Sequence, residues 1–312
     1  MIISLQMVYN EYNNKLDGLN YNIMKYNNLD TNQNTNPNTN IDTNPENKDN
    51  IYVMTYNVHN NAMLNDTKLN NIATIINGID NSWDNKYKHP GTFDFIATQE
   101  ATDNWKKLYD KIDRDKDKYG SVDSRKYRSK ETTNNYHHIT YYNKSKYTIV
   151  KNKSKSKNKS KNKNEVKPFD AGREKHYILF QNKETKKKYL FINIHNKHKA
   201  DNSGNTLQGK ITDAIKTLNL TETSIIIAGD FNDEGRKYYK GINITTNNHG
   251  TFNIKCDIDD SKIPKSINDK ITDYVISDKS LRVKKIYIPL SVDWRDRSNH
   301  QQSDHYPVVA IL

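Results

Sequence analysis

The segment Ser224-Ile-Ile-Ile-Ala-Gly-Asp-Phe-Asn232 is the most specific structural signal in this sequence. Its run of aliphatic residues predicts a short buried β-strand, and Gly229 allows an unusual backbone dihedral or a close backbone approach. Because residues two apart point the same way in an extended chain, we expect Asp230 and Asn232 to face one pocket. A carboxylate can orient or deprotonate a water molecule, and a carboxamide can bind a phosphoryl oxygen. The segment therefore predicts a hydrolytic site at the end of a strand.

Other polar residues also stand beside strand-like stretches. They are Asn57 after residues 51–56, Gln99-Glu100 after residues 93–98, His195 after residues 190–194, Asp273 within residues 271–276, and Ser303-Asp304-His305 before residues 306–312. Each signal alone is weak, since single strand-end acids, turn-forming asparagines and structural histidines are common. Strand ends that share one rim are where a sheet scaffold concentrates chemistry. The order of these motifs therefore favours one site built from all of them.

The acidic and amide residues suit a divalent cation and a phosphate. Glu100 is the predicted metal ligand, because Mg²⁺ takes oxygen ligands and is usually held by one or two carboxylates with water and substrate phosphate. Asp304 is a second candidate for contact with the metal or the phosphate. Asn57 can hold a phosphate oxygen or orient Glu100. The set predicts metal-assisted cleavage of a phosphate ester.

The two histidines are predicted to handle protons. His305 is the expected general base, because histidine titrates near neutrality, and Asp273 can fix its tautomer from a neighbouring strand. His195 can protonate the leaving oxygen or hold the pentacoordinate phosphorus. Catalytic roles are therefore predicted for His195, Asp230, Asn232, Asp273 and His305.

Composition divides the chain into two parts. Hydrophobic residues make up 33% of the 312 residues, a low share that reflects residues 1–50, which are rich in asparagine. We expect this segment to be disordered and residues 51–312 to form the catalytic domain. The single cysteine, Cys256, excludes an internal disulfide and fits a reducing compartment. With no signal peptide or membrane-spanning stretch in view, we expect an intracellular protein, nuclear or cytoplasmic.

Positive charge is concentrated in one tract. The net charge is +12, and residues 144–167 hold ten lysines against one acidic residue, Glu165. Like charges at this density repel one another and stay solvated, which predicts a lysine-rich insertion at about residues 150–167. The insertion is either a tolerated loop, a tether for a phosphate backbone, or an address signal.

Hydrophobic spacing gives a coarse order of helices and strands. Helices are predicted from Asn65 or Asp66 through Ile79, over residues 103–119, and over residues 206–218. Hairpins are predicted from residues 136–142 with 146–150, and from residues 176–181 with 188–194. Hairpins mixed with strand–helix–strand units favour α/β layers over a purely parallel sheet.

Over residues 51–312 these motifs resemble those of the endonuclease/exonuclease/phosphatase superfamily. That superfamily includes pancreatic-type deoxyribonuclease, exonuclease III-type apurinic endonucleases, deadenylases, neutral sphingomyelinases and inositol polyphosphate 5-phosphatases. The matching positions are Asn57, Glu100, His195, Asp230, Asn232, Asp273 and Asp304-His305. The resemblance implies a four-layered α/β sandwich of two facing mixed sheets with outer helices. It also implies dependence on Mg²⁺ or Mn²⁺ and in-line attack of water on a phosphoester.

Several positions depart from the superfamily's subgroups. Asn196 replaces the usual leucine after His195, and Ala101-Thr102 follow Gln-Glu where apurinic endonucleases have Thr-Lys. Phe231-Asn-Asp-Glu234 does not match the 5-phosphatase signature. Arg173 is a candidate phosphate-binding arginine, together with Asn57 and Asn232.

The expected function is a metal-dependent phosphodiesterase acting on nucleic acid, with DNA as the favoured substrate. One alternative keeps the chemistry but makes the substrate a phosphoinositide or sphingomyelin, so that the lysine tract meets an anionic lipid surface. Another is a non-catalytic binding module on the same fold. In each case we expect a monomer.

Overall fold

The computed structural model describes only part of the chain. The described residues are 50–60, 62–124, 137–150, 167–168, 176–196, 222–232, 242–246, 250–255, 272–295 and 303–312, with isolated positions at 208–209, 211–212, 215, 220, 258 and 265. The predictions for the asparagine-rich segment, for the lysine tract and for Arg173 lie outside these residues. Within these ranges, no helix is long and apolar enough to cross a membrane.

Two mixed β-sheets form the framework. The first contains β1 (Tyr52–Asn57), β2 (Phe95–Ala101), β3 (Tyr119–Asp123), β4 (His137–Asn143), β13 (Lys285–Tyr287) and β14 (Val308–Ile311), in the order β13-β14-β1-β2-β4-β3. The second contains β5 (Tyr147–Ile149), β6 (Lys167–Pro168), β7 (His176–Asn182), β8 (Lys188–His195), β9 (Thr223–Asp230), β10 (Ile242–Thr246), β11 (Gly250–Lys255) and β12 (Asp273–Asp278). Its order is β10-β11-β12-β9-β8-β7-β5, with β6 beside β7.

The inner faces of the two sheets pack against each other. Strand β1 contacts β9 and β12, and β2 contacts β8. Phe95 of β2 meets Phe180 and Phe191 of the other sheet at ring centroid distances of 5.1 and 4.9 Å. All three rings are fully buried. The predicted two-sheet α/β sandwich is therefore confirmed.

Two helices, α1 (Asp66–Asn77) and α2 (Trp105–Ile112), contribute buried faces beside the first sheet. The short helix α3 (Val292–Arg295) buries none of its residues, and a 3-10 turn lies at Ala62–Leu64. Asn65 caps α1 by accepting from the Lys68 N–H at 3.1 Å, as the sequence predicted. Helix α1 ends at Gly78, whose φ of 62° is left-handed, so Ile79 lies beyond the helix and is 45% exposed.

The second predicted helix is shorter than residues 103–119. It ends at Ile112 because the buried Asp113 carboxylate accepts from the backbone N–H groups of Asp117, Lys118 and Tyr119. Those bonds stabilise a turn that leads into β3, a strand that the sequence analysis did not predict. The prediction over residues 206–218 fares better, since the described positions 208–209, 211–212 and 215 are helical and Ile211 and Ile215 are buried.

The hairpin predicted from residues 136–142 and 146–150 is wrong. Strand β4 pairs with β2 and β3 in the first sheet, whereas β5 pairs with β7 in the second. Asn143 caps the turn between them by accepting from the backbone N–H groups of Ser145 and Lys146. Lys146, in the same turn, forms an ion pair with the buried Asp94 at 3.1 Å. This tight turn therefore connects a strand of the first sheet to a strand of the second. The second predicted hairpin is confirmed by the β7–β8 pairing.

Strand register brings the predicted site to one rim. Strands β1 and β2 run parallel with Asn57 beside Gln99, and β8 and β9 run parallel with His195 beside Asp230. Strand β12 runs antiparallel to β9, so its first residue, Asp273, lies opposite Asp230. Polar residues from both sheets therefore meet at one rim, at the ends of strands β1, β2, β8 and β9 and at the start of β12.

The lysine tract connects two pieces of one sheet edge. Both β5 and β6 pair with β7, with the Val150 N–H donating to the Leu179 carbonyl at 2.8 Å and Lys167 lying opposite Tyr177. Only one position, opposite Ile178, separates these two anchors along β7. Val150 and Lys167, the residues that flank the tract, therefore lie along the same edge of the sheet.

His89 is expected to make the stability of the fold depend on pH. Its Nδ1 accepts from the Gly91 N–H at 3.0 Å and its Nε2 donates to the Ile76 carbonyl at 2.8 Å, an arrangement that requires the neutral ring. Burial lowers the pKa of His89, with Lys118 adding to the effect.

Since the unfolded state then binds the proton more readily, the free energy of unfolding should fall as pH drops below the ordinary histidine value of 6.5. Urea unfolding between about pH 5 and 7.5 should show a smaller fall in His89→Gln than in the wild-type protein. An identical pH dependence in the two proteins would contradict this assignment.

Candidate active site

Glu100 lies in a β-bulge near the end of β2. Thr98 pairs with Ile139 and the next pair is Ala101 with His137, so Gln99 and Glu100 together oppose one residue of β4. The φ of Glu100 is 55°, a left-handed value that non-glycine residues seldom adopt. The Glu100 side chain keeps 19% of its surface exposed. The bulge thus turns a carboxylate from a buried strand to the open rim.

Asn57 joins carboxylates from the two sheets. Its Nδ2 lies 3.2 Å from Glu100 Oε1 and 3.3 Å from Asp230 Oδ2. Its Oδ1 accepts from the backbone N–H of His59 at 3.1 Å, which fixes the orientation of the amide. Asn60, which the sequence analysis missed, donates to the other Glu100 oxygen at 3.4 Å. These contacts place the Asn57 amide between the two carboxylates.

His195 lies between the same two carboxylates. Its Nε2 is 3.7 Å from Glu100 Oε1 and 3.6 Å from Asp230 Oδ2, distances longer than hydrogen bonds. The ring of His138, from the strand opposite the bulge, stands edge-on to His195 with a centroid separation of 6.2 Å. His138 was missed because its strand, β4, has no motif at its end, and only its position opposite Gln99-Glu100 marks it.

Asp273 and His305 form a close pair beside Asp230. His305 Nδ1 lies 2.7 Å from Asp273 Oδ2, and its Nε2 lies 3.7 Å from Asp230 Oδ2. Burial alone would lower the pKa of His305, but the Asp273 carboxylate, followed by Asp230 and Asp304, raises it to about 10. Without a bound cation His305 is therefore an imidazolium at neutral pH.

The pKa of Asp230 lies well above the ordinary value for an aspartate. Burial, followed by the nearby Asp273 charge, raises the pKa of Asp230 to about 7, although His305 and the bonds from Asn232 and Asn57 oppose the rise. A carboxylate with this pKa is poised to exchange a proton near neutral pH.

Asn232 reaches the site by a different route from the one predicted. Its φ of 50° is left-handed, so the chain is not extended through Asp230 and Asn232. Its backbone N–H donates to Asp230 Oδ1 at 2.9 Å, and its Nδ2 donates to the Asn196 carbonyl at 2.6 Å. Gly229, just before this segment, permits a close approach of β9 to β8, because a Cβ there would lie 2.0 Å from the Ile194 carbonyl oxygen.

The closing Ser-Asp-His segment is anchored to β1. Ser303 Oγ donates to the Asn57 carbonyl at 2.6 Å and accepts from the His305 N–H at 3.1 Å. Asp304 points to a more open position, since it is exposed while its neighbour Ser303 is buried. The structure therefore brings together Asn57, Glu100, His195, Asp230, Asn232, Asp273 and His305 and leaves Asp304 at the margin.

The donor set around Glu100 fits a hard divalent cation. Among the described residues, the Glu100 oxygens accept from the amides of Asn57 and Asn60 at 3.2 and 3.4 Å, and carboxylate and carboxamide oxygens are ligand types that Mg²⁺ takes. Among the residues that the structure describes, no group of three or more histidine, cysteine, aspartate or glutamate side chains is placed to hold a metal ion by itself.

Comparison with solved structures supports the same fold. The chain is similar to an endonuclease/exonuclease/phosphatase from Bacteroides vulgatus at 15% identity and a TM-score of 0.53, covering 85% of this chain and 98% of that one. It is similar to a mannosyl-6-phosphatase from Bacteroides thetaiotaomicron at 20% identity and a TM-score of 0.50, and the match covers 84% of this chain and 99% of that one. It is also similar to TDP2 from Caenorhabditis elegans at 15% identity and a TM-score of 0.50, and the match covers 84% of this chain and 74% of that one. At these identities the likeness shows the fold alone.

Sequence comparison supplies the family. No curated protein matches the chain. The model of the endonuclease/exonuclease/phosphatase family matches residues 54–305, a range that runs from β1 to the terminal histidine of the site and contains every residue placed at the rim. The chain therefore belongs to the endonuclease/exonuclease/phosphatase family.

Proposed function

We propose that the chain is a Mg²⁺-dependent phosphodiesterase that hydrolyses nucleic acid, with DNA as the favoured substrate. The observation that supports it most is the meeting of Glu100 with the Asp230 and His305–Asp273 group through Asn57. Family membership supports hydrolysis of phosphoesters as the chemistry. The lysine tract, with its excess of positive charge, supports a polyanionic substrate.

In this proposal Glu100 would hold the cation, and a bound Mg²⁺ or Mn²⁺ would supply neutralisation of charge on the phosphate and its polarisation. The amides of Asn57 and Asn232 position the phosphate by hydrogen bonds. Asp304 is a candidate for a further contact with the cation or the phosphate. Arg173, outside the described residues, remains a predicted phosphate contact.

Proton transfer is assigned to Asp230 and to the two histidines beside it, His305 and His195. Asp230 accepts a proton from the attacking water, because its raised pKa makes it a competent base near neutral pH. His305, held as a cation by Asp273, donates to a phosphate oxygen. The alternative assignment is the one predicted from the sequence, in which His305 and not Asp230 is the general base. His195, on the other side of Asp230, assists departure of the leaving oxygen.

Asp230→Asn and His305→Ala are expected to lower kcat by about 10²–10⁴-fold each, since each removes a group acting on the reacting atoms. Cleavage should be measured on plasmid DNA, RNA, sphingomyelin and a phosphoinositide, with Mg²⁺ and with chelator. Asp278→Asn, a buried aspartate at the far end of β12, is the matched control and should keep wild-type turnover. Cleavage of lipid alone would reject the nuclease proposal, and full activity of both site variants would reject the site.

His195→Ala separates the two roles open to His195. A general acid matters most when the leaving oxygen is a poor leaving group. The variant should therefore lose about 10²–10⁴-fold in kcat on a dinucleotide but about tenfold or less on bis(p-nitrophenyl) phosphate, whose leaving group needs no proton. Equal losses on both substrates would show that His195 holds the phosphorus centre and does not protonate the leaving oxygen.

Removal of residues 152–166 tests the lysine tract without breaking the sheet edge, because Lys151 then fills the single position opposite Ile178. We expect weaker binding to DNA and a flatter dependence on salt, with the slope reduced by about 0.9 for each phosphate that the tract neutralises. Turnover on a dinucleotide should be unchanged.

The matched control keeps the length of the loop and replaces its six lysines at 153, 155, 157, 159, 161 and 163 by glutamine. It should behave as the deletion does if charge is the cause. A wild-type salt dependence in both proteins would show that the tract is a passive insertion.

A further inference from the structure

A buried pair of amide side chains connects the two sheets directly beneath Glu100. Gln99 Nε2 donates to Asn193 Oδ1 at 2.9 Å and to Thr55 Oγ1 at 3.2 Å. Gln99, Asn193 and Thr55 are fully buried, and they come from β2, β8 and β1. None of the three reaches the rim, so the proton-transfer and phosphate-binding roles leave them unused.

The other end of Asn193 contacts the backbone at the bulge. Its Nδ2 lies 3.2 Å from each of three acceptors, the Thr98 carbonyl, the Ile139 carbonyl and Thr140 Oγ1. Thr98 and Ile139 are the last regular pair before the bulge. A bulge disrupts the hydrogen-bond ladder and leaves an extra residue unpaired. Asn193 therefore supplies, from the opposite sheet, hydrogen bonds at the edge of this disruption.

This network also fixes Gln99, the residue that precedes Glu100. Both ends of the Gln99 amide have partners in the interior, since Thr55 Oγ1 also lies 3.4 Å from Gln99 Oε1. With Gln99 held inward, the left-handed turn at Glu100 leads its side chain out to the rim. A disfavoured φ of this kind persists only when its surroundings over-determine it. The surroundings here are the amide pair.

We propose that Asn193 and Gln99 are positioning residues for Glu100, which set the direction of its carboxylate and so the affinity of the site for a divalent cation. The inference rests on the proposed function, because that function assigns the cation to Glu100. Residues behind a metal ligand commonly change metal affinity or activity by about 10–100-fold when they are replaced. A network that served stability alone would leave the affinity of the folded protein unchanged.

The test is a titration with Mn²⁺ alone, followed by electron paramagnetic resonance, together with a thermal unfolding curve for each variant. Asn193→Leu removes the donors and the acceptor while keeping a similarly branched side chain, and should raise the Kd for Mn²⁺ by about 10–100-fold. Asn143→Leu is the matched control. Asn143 is also a buried carboxamide with several hydrogen bonds, but it lies at the far end of β4. It should lower Tm and keep the wild-type Kd.

Thr55→Val is the milder variant, which removes one partner of Gln99 and decides the matter if Asn193→Leu does not fold. It should weaken Mn²⁺ binding in the same direction by a smaller factor. An unchanged Kd in the folded variants would overturn the proposal, and so would an equal rise in Asn143→Leu.

Glu100→Gln separates this inference from the proposed function. If Glu100→Gln weakens Mn²⁺ binding while Asn193→Leu and Thr55→Val do not, the positioning role fails and the metal role of Glu100 stands. If Glu100→Gln binds Mn²⁺ as the wild-type protein does, the metal role itself fails, and the positioning role that depends on it fails as well.

Discussion

The contact between the two sheets through buried amides is the constraint on which the site depends. Gln99 and Asn193 meet at 2.9 Å in the interior, and Asn57 reaches both Glu100 and Asp230 at the rim. Because an unpaired amide is costly to bury, each of these side chains fixes the spacing and register of the strands that carry its partners. A small shift of one sheet against the other would separate the carboxylates that the chemistry needs close together.

The same closeness creates the electrostatics of the site. Burial of Asp230 beside Asp273 would be unfavourable for two carboxylates, and the His305 cation between them offsets part of the cost. The consequences are a carboxylate that titrates near neutral pH and a histidine that holds its proton well above it. The roles proposed for Asp230 and His305 follow from this division of charge.

Sequence reasoning identified the strands that carry the site and the polar residues at their ends, because hydrophobic runs and short motifs are local features. It could not show that β4 and β5 lie in different sheets, since adjacent strands give the same pattern whether or not they pair. The bulge at Glu100 and the left-handed turn at Asn232 were also invisible. Both depend on partners far away in the chain, as do the contributions of His138 and Asn193.

A crystal of the protein soaked with Mn²⁺, with the ion located by anomalous scattering, would show directly whether Glu100 holds the cation. One principal peak is expected within about 2.5 Å of a Glu100 carboxylate oxygen, on the side of the rim that faces Asp230 and His305. A principal peak away from Glu100, in a protein that hydrolyses phosphodiesters with that ion, would contradict the metal role of Glu100.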